Sequence, residues 1–359
     1  MAQYIFRRIL ASIPVLFGIL VVTFIIARVI PGDPCRAILG EKATQEICDR
    51  FIQIHGLDRP IHEQLFVYMG EVLRGDFGES IRFSLPVTRL LIERLPTTVE
   101  LSLAALMVSL FVGIPLGIIS AVKHNSWIDV LTMVWANTGV SMPVFWLGLM
   151  LAYVFSLLLK DTPFWLPPSG RISPGIPNDP FYKVWDLTLP ESGLLLATYQ
   201  FVGRLNILNA LLTSNWELLK DAIKHLILPA LALGTIPMAL IARMARSAML
   251  DVLGQDYIRT ARAKGLRQRV VVMKHAFRNA LLPLVTIIGL SLGSLLGGAV
   301  LTETVFGLSG VGRTLYEAIT ARDYGIVQAF TVVIAVFFVI INLLVDLSYS
   351  YLDPRIRLE

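Results

Sequence analysis

Six long apolar runs decide what this chain is able to fold into. They cover roughly residues 9–30, 98–122, 130–159, 227–249, 281–301 and 326–351. Each supplies the ~20 residues that a helix needs to cross a hydrocarbon core of about 30 Å. Lipid offers the backbone no hydrogen-bond partner, so runs of this length span as helices that satisfy themselves. The expected fold is therefore all-α: a polytopic membrane protein of about six transmembrane helices. Composition agrees, since 55% of the residues are hydrophobic and only 16% are charged, against about a quarter charged in soluble domains. The first run is too long for the apolar core of a signal peptide, and no small-residue cleavage site follows it, so it reads as a retained span. Pro143 lies inside the third run and predicts a kink or a start at the interface.

Lys and Arg in short loops mark the cytoplasmic side. Residues 247–280 carry seven basic residues against two acidic ones, whereas residues 304–325 are balanced. The first loop is expected inside and the second outside. Six spans then put both termini in the cytoplasm, with Arg7 and Arg8 at one end and Arg355 and Arg357 at the other. The organisation expected is an N-terminus with the first span (1–30), an outer segment (31–97), and a core (98–359) with five further spans. The core includes an outer insertion (160–226) and a cytoplasmic loop (250–282). Residues 163–190 are rich in Pro and aromatics and read as an irregular outer loop, while 193–220 is more helical in pattern and reads as lying along the membrane surface.

The basic loop is the most informative part of the chain. Good helix formers run from Tyr257 to Lys264, and Gly265 supplies a stop. A second helix is expected from about Gln268 to Leu282, with Pro283 opening the fifth span. Ala261 and Ala263 are small enough for close approach by a partner, and Arg259, Arg262 and Arg267 suit its carboxylates. A basic loop that only sets topology reads equally well from charge alone.

The stretch resembles the cytoplasmic coupling loop of ATP-binding-cassette (ABC) importer permeases. Their general pattern is Glu-Ala-Ala, then Gly four residues on, then Leu-Pro. Here Arg259-Thr260-Ala261 stands in the first place, followed by Gly265 and Leu282-Pro283. The wide spacing and the basic substitution are similar to the dipeptide, oligopeptide and nickel permeases. So are Pro31-Gly32-Asp33-Pro34, Gly56-Leu57-Asp58, Gly75-Asp76-Phe77-Gly78 with Ser80, and Arg94-Leu95-Pro96-Thr97-Thr98. Further on, Glu303-Thr304-Val305-Phe306, Gly310-Val311-Gly312, Arg322-Asp323-Tyr324 and Asp353-Pro354-Arg355 fit in order. The insertion of about 160–224 is longer than the family usually has.

The resemblance implies a non-catalytic inner-membrane subunit of a bacterial importer, carrying peptides or, as the alternative, nickel or another small solute. It implies four kinds of partner: a second permease, two ATPase subunits, an external binding protein and the bilayer. ATP and Mg would sit on the ATPases, with no cofactor bound by this chain. It also implies that Asp256, Tyr257, Arg259, Thr260, Ala261, Arg262, Ala263, Lys264, Gly265 and Leu266 couple the permease to an ATPase.

Four further features need a reading. Gly289, Gly293 and Gly297 lie four apart, a spacing that lets membrane helices pack closely, either within this chain or against a partner permease. Ser291 and Ser294, off that stripe, suit a polar lumen. Gly307 to Thr314 looks like a phosphate loop, but Arg313 replaces the required Lys, and an outer turn is the better reading. Arg243, Arg246, Glu303 and Asp346 are the membrane-embedded charges, all near interfaces, where pairing or snorkelling competes with function. The five histidines show no metal-ligand spacing. No midplane charge or paired broken helix suggests a stand-alone channel or secondary transporter, and no residue set suggests an intramembrane enzyme. Cys35 and Cys48, the only cysteines, fall in the outer segment and are candidates for a disulfide.

Overall fold

The computed structural model describes residues 2–29, 44–54, 56, 58–80, 82–297 and 299–352. The chain opens with α1 (Ala2–Val29), α2 (Gln45–Ile54) and α3 (Ile61–Leu73). A short antiparallel hairpin, β1 (Glu79–Ser80) with β2 (Leu85–Pro86), leads into α4 (Val87–Val122). Next come α5 (Trp127–Ser141) and α6 (Val144–Leu158). The segment after them holds α7 (Phe181–Val184), α8 (Leu194–Gly203) and α9 (Asn206–Leu212). The chain continues with α10 (Trp216–Leu253), α11 (Asp256–Ala263), α12 (Gln268–Leu296), α13 (Val300–Val305), α14 (Val311–Thr320) and α15 (Tyr324–Leu352). Among the described residues five helices, α1, α4, α10, α12 and α15, are long and apolar enough to cross a membrane. The pair α5–α6 makes a sixth if it counts as one broken span. The all-α polytopic architecture expected from the apolar runs is the one observed.

The spine is the pair α4 and α10. On α4 the buried residues Ala105, Ser109, Gly113, Gly117 and Ala121 recur every four positions, a row of small side chains along one face. A Cβ added at Gly113 would come 2.7 Å from the Met238 carbonyl oxygen, and one at Gly117 would meet Ala242 and Ala245. From the other side, a Cβ on Gly234 would come 2.7 Å from the Ala105 carbonyl. The Ser109 hydroxyl lies 2.7 Å from the carbonyls of both Ala105 and Gly234. Without a hydrophobic drive between helices in lipid, such backbone proximity and bridging hydroxyls hold them together.

Three apolar clusters stack along this spine. One, at the end that carries α11, joins Ala121, Met249, Ile258, Ala261, Val271 and Ala276. A central one joins Leu101, Leu228, Leu284 and Phe306. At the opposite end Val87, Leu90, Val311, Ala318, Ile326 and Phe330 pack together. Arg8 of α1 pairs with Asp346 of α15 at 3.0 Å, so the start of the first span and the end of the last lie at the same end of the bundle.

Two expected elements differ. The third apolar run is two helices bent by 98°. Pro143, with φ −58° and ψ 130°, is extended and starts α6 afresh. The fifth span does not open at Pro283. α12 runs unbroken from Gln268 with Pro283 inside it, and its Val271–Phe277 portion is π-helical. Neighbouring helices allow a membrane helix to keep an internal Pro.

The packing of α4 on α10 gives a contrast that a melting experiment reads. Gly117→Leu forces the two backbones apart and is expected to cost at least the ~1–3 kcal/mol of ordinary overpacking. Gly18→Leu, where nothing lies within 4 Å of an added Cβ, leaves the melting curve of the detergent-solubilised chain unchanged. Equal curves for the two variants would show that the α4–α10 contact is not what holds the bundle.

Candidate functional site

The basic loop folds as a short helix docked on the bundle by one face. Ile258 and Ala261 of α11 are buried, at 0% and 7% exposure, against Ala248, Met249, Val271 and Val272. Asp256, Tyr257, Arg259, Thr260, Arg262, Ala263, Lys264, Gly265 and Leu266 are exposed. Ala261 therefore anchors the helix to its own chain, and of the two alanines only Ala263 is open to a partner. The Tyr257 hydroxyl accepts a bond of 2.7 Å from the Asn279 amide of α12, a second tie beside the apolar one.

Gly265 ends the helix as the sequence predicts. Its φ is +73°. Its N–H donates to the Arg262 carbonyl at 2.9 Å, and the Leu266 N–H donates to that of Ala261 at 3.4 Å. This pair of bonds is the Schellman cap, which needs a left-handed residue at that position. Nothing lies within 4 Å of an added Cβ, so backbone conformation, not space, selects Gly there.

Beneath this end lies a bolt that the sequence reading missed. Arg246 of α10 donates to both carboxylate oxygens of Asp129 on α5, at 2.9 and 2.8 Å. Asp129 also accepts from the Ser120 hydroxyl of α4 and, at 3.0 Å, from the Asn125 N–H. One carboxylate thus joins three helices and the turn between two of them. Ser126, whose side chain caps α5, with an acid three positions on, is the sequence signal that would have located it. Arg243 donates to the Asn137 side chain at 2.9 Å, so both arginines of the fourth span have partners inside the chain.

A groove of about 330 Å³ opens between α10 and α12. Its walls are mainly apolar, with Leu233, Ile236, Leu240, Ile287 and Leu290, and both Ser291 and Ser294 face it. The neighbouring glycines do something else. Gly289 and Gly293 sit directly against Val345 and Phe338 of α15, and Gly297 approaches only its own helix. Packing within the chain occupies the first two glycines of the stripe.

At the far end two acids hold the connecting segments. Glu303, beyond the end of α12 and 0% exposed, accepts from the Thr98 hydroxyl at 2.7 Å and from the Arg313 N–H at 2.8 Å. Thr98 in turn accepts from the Val311 N–H at 2.8 Å. Burial pushes the Glu303 carboxyl above its ordinary range, opposed by its bonds from the Arg313 N–H and Thr98. The turn that looked like a phosphate loop is thus an anion-binding helix start whose anion is the chain's own carboxylate. Gly310 is required there, because a Cβ would strike Glu303 and Thr98. Asp323 (0% exposed) caps α15 and clasps the hairpin, accepting from the Ser80 hydroxyl at 2.6 Å and the Arg82 N–H at 3.1 Å.

The insertion is fastened in the same manner. Glu100 of α4 accepts from Arg171 at 2.7 Å and from the Ile207 N–H at 2.8 Å. Asp221 takes the N–H and hydroxyl of Ser173 at 2.7 and 2.8 Å. Buried Asn209 ties down Phe181 N–H and the Asp179 carbonyl. These residues carried no signal in the sequence beyond being acids and amides near apolar runs.

An apolar bundle with a groove and an exposed basic helix suits a transport subunit, and the sequence comparison decides which kind. Residues 113–358 match the family described as binding-protein-dependent transport system inner membrane component. Residues 1–104 match the N-terminal region of such membrane components. The chain belongs to this family. It is 45% identical to a dipeptide transport system permease of Alkalihalophilus pseudofirmus, over 99% of this chain and 100% of that one. A dipeptide permease of Escherichia coli K12 is 42% identical over 99% of both chains. An oligopeptide permease of Bacillus subtilis 168 is 38% identical over 99% and 100%. The ABC importer permease resemblance drawn from the coupling-loop motif is correct, and the chain is a multi-pass inner-membrane component of a transport system. The family's motifs at Ser80, Thr98, Glu303, Gly310 and Asp323 find their physical explanation in the two acidic clasps. Pro31 to Pro34, Cys35, Leu57, Arg355, Arg357 and the Asp353-Pro354-Arg355 end lie outside the described residues.

In this permease the Asp129–Arg246 pair is open to a double-mutant cycle. Asp129→Asn leaves Arg246 facing an uncharged partner and is expected to destabilise the chain by about 3 kcal/mol, as is Arg246→Gln. The double substitution should cost clearly less than the sum of the two. Additive losses in a denaturant titration of the solubilised chain would show that the pair is not coupled.

Proposed function

We propose that this chain forms one half of the membrane pathway of a peptide importer. An external binding protein would hand a di- or oligopeptide to a pair of permeases, this chain and a second homologous one. Two ATPase subunits, holding ATP and Mg, would drive the cycle from the cytoplasm. The observation that carries the reading is similarity over essentially the entire length to permeases named for dipeptide and oligopeptide transport. The topology goes with it: the basic loop inside, both termini inside, and residues 31–97 and 160–226 outside. The positive-inside bias of the loops supports that orientation.

The coupling element in this reading is Asp256–Leu266. What supports the role is its form: a helix anchored by Ile258 and Ala261, with a charged face left exposed and a terminus fixed by Gly265. The ATPase would grip the exposed face, and the anchored face would pass the motion to α12 and on to the groove lined by Ser291 and Ser294. The glycines Gly289 and Gly293 would serve by fitting α12 to α15, and Gly297 would end the helix. The whole bundle would be the two-state element, biased by nucleotide on one side and the loaded binding protein on the other.

The test is reconstitution of the complete complex in vesicles, with labelled dipeptide uptake and ATPase measured together. The wild type imports dipeptide with ATPase stimulated by the loaded binding protein. Absence of uptake of any short peptide by an active complex would refute the peptide reading. Gly265→Val strains a left-handed position by roughly 1–3 kcal/mol and is expected to leave assembly intact while breaking the link between ATP hydrolysis and uptake. Normal stimulated uptake by an assembled Gly265→Val complex would remove the coupling role from this helix.

The Cys35–Cys48 disulfide belongs to the same orientation, since it requires an oxidising compartment. Cys48 is buried, at 2% exposure. A bond across so short a loop would contribute on the order of 3 kcal/mol. In protein taken directly from its native membrane and denatured, alkylation is expected only after reduction. Full labelling of both thiols without reductant would rule the bond out.

A further inference from the structure

Three arginines at the ends of the spans have partners inside the chain: Arg246 with Asp129, Arg243 with Asn137, Arg8 with Asp346. The first turns of α12 are different. Arg269, Lys274 and Arg278 are exposed, and among the described residues none of them is in an ion pair. The sequence offers them no local acid either, for there is no Asp or Glu between Asp256 and Glu303.

Their placement follows from the π-helical turn. Hydrogen bonding from i to i+5 widens the turn, so residues four and five apart come into line. Arg269, Met273, Lys274 and Arg278 fall on one side, while Val271, Val272, Ala276 and Ala280 are buried on the other. The exposed side is not purely polar. Val270 and Met273 stand beside the cations at 37% and 47% exposure.

Length sets the depth. α12 has 29 residues, about 43 Å at 1.5 Å per residue, against ~30 Å of hydrocarbon. Its uncharged stretch, residues 279–296, is by itself about 27 Å long. When that stretch fills the hydrocarbon, Arg278 lies at its edge, Lys274 about 6 Å further out in the headgroup layer and Arg269 on that layer's aqueous side, with Val270 and Met273 exposed beside the cations. Three unpaired cations with apolar neighbours at that depth are complementary to an anionic headgroup set above its own chains.

We infer that the Arg269–Lys274–Arg278 face of α12 binds the headgroup of an acidic phospholipid. This surface lies beside the proposed coupling helix and is distinct from it: α11 presents its own exposed face, whereas these cations follow the span into the bilayer. A lipid seated there would brace the π-helical turn against which Ile258 and Ala261 pack.

The experiment is native mass spectrometry of the full chain, together with the subunits that co-purify with it. The detergent is doped with equal amounts of phosphatidylglycerol and phosphatidylethanolamine. The wild type is expected to retain phosphatidylglycerol in preference, and salt should weaken that retention. Each Gln substitution at Arg269, Lys274 or Arg278 should lower retention about fivefold, the triple variant should lose the preference, and Arg278→Lys should keep it. Equal retention of the two lipids by the wild type overturns the proposal, and so does a triple variant with unchanged retention. If the triple variant holds phosphatidylglycerol but sheds an ATPase subunit, the face docks a protein and the lipid assignment is wrong. The wild-type preference, its salt response and the single variants decide the matter even where the triple variant fails to assemble.

Discussion

The close approach of α4 to α10 is the constraint on which the rest of this membrane subunit depends. Lipid gives two helices no hydrophobic reason to touch, so contact must come from dispersion at short range and from hydroxyl bridges. The row Ala105, Ser109, Gly113, Gly117 meets Gly234, Met238 and Ala242 at backbone distance. α5, α6, α9 and α12 are placed against that pair, α15 against α12, and α1 against α15. α5 lies on α10 with Gly139 against Thr235, and α6 reaches the central cluster with Gly148 against Phe306. A spine set by small residues also accounts for the prolines inside both helices, since a close neighbour takes over what the broken ladder leaves free.

Packing in lipid specifies distance more readily than register, and the buried acids supply register. Asp129 ties α4, α5 and α10 at one end. Glu303 and Asp323 tie the segments around α14 to α4 and to the hairpin at the other. Glu100, Asp221 and Asn209 do the same for the insertion. Each carboxylate has several donors, as burial of a charged or polar group demands. These acids are drawn inward to satisfy helix starts and hydroxyls.

What was legible from sequence divides along the same line. Apolar run length located the spans, because the bilayer imposes it and no tertiary detail alters it. The Gly265 stop was legible because a helix end carries local chemistry, and its Schellman bonds involve only residues 261–266. The bend at Pro143 was foreseen in kind, though 98° is a change of direction that depends on what α5 and α6 pack against. Long-range partners were out of reach. Asp129 and Arg246 are 117 positions apart, and Thr98 and Glu303 are 205 apart. A spacing rule cannot join residues at such separations. The stripe on α4 was passed over for the fifth-span glycines because Ala and Ser break up its pattern, although to a facing backbone all three residues are simply small.

The continuity of α12 bears most directly on how such a subunit works. A helix broken at Pro283 would let the basic loop and the groove move independently. The unbroken helix instead carries the π-helical turn under α11, the groove residues Ile287, Leu290, Ser291 and Ser294, and the contacts of Gly289 and Gly293 with α15 on one rod. The π-helical turn lies between the docking point and the rod, where the ladder is locally looser than in an α-helix. In the coupling proposed above, a displacement of α11 would reach the serines through that turn and the α10 wall of the groove through Ala248 and Met249. In that coupling the buried pair Ile258 and Ala261, which give a partner nothing to hold, would serve transmission and the exposed arginines docking. Ile258 and Ala261 fix α11 both to the π-helical part of α12 and to the end of α10.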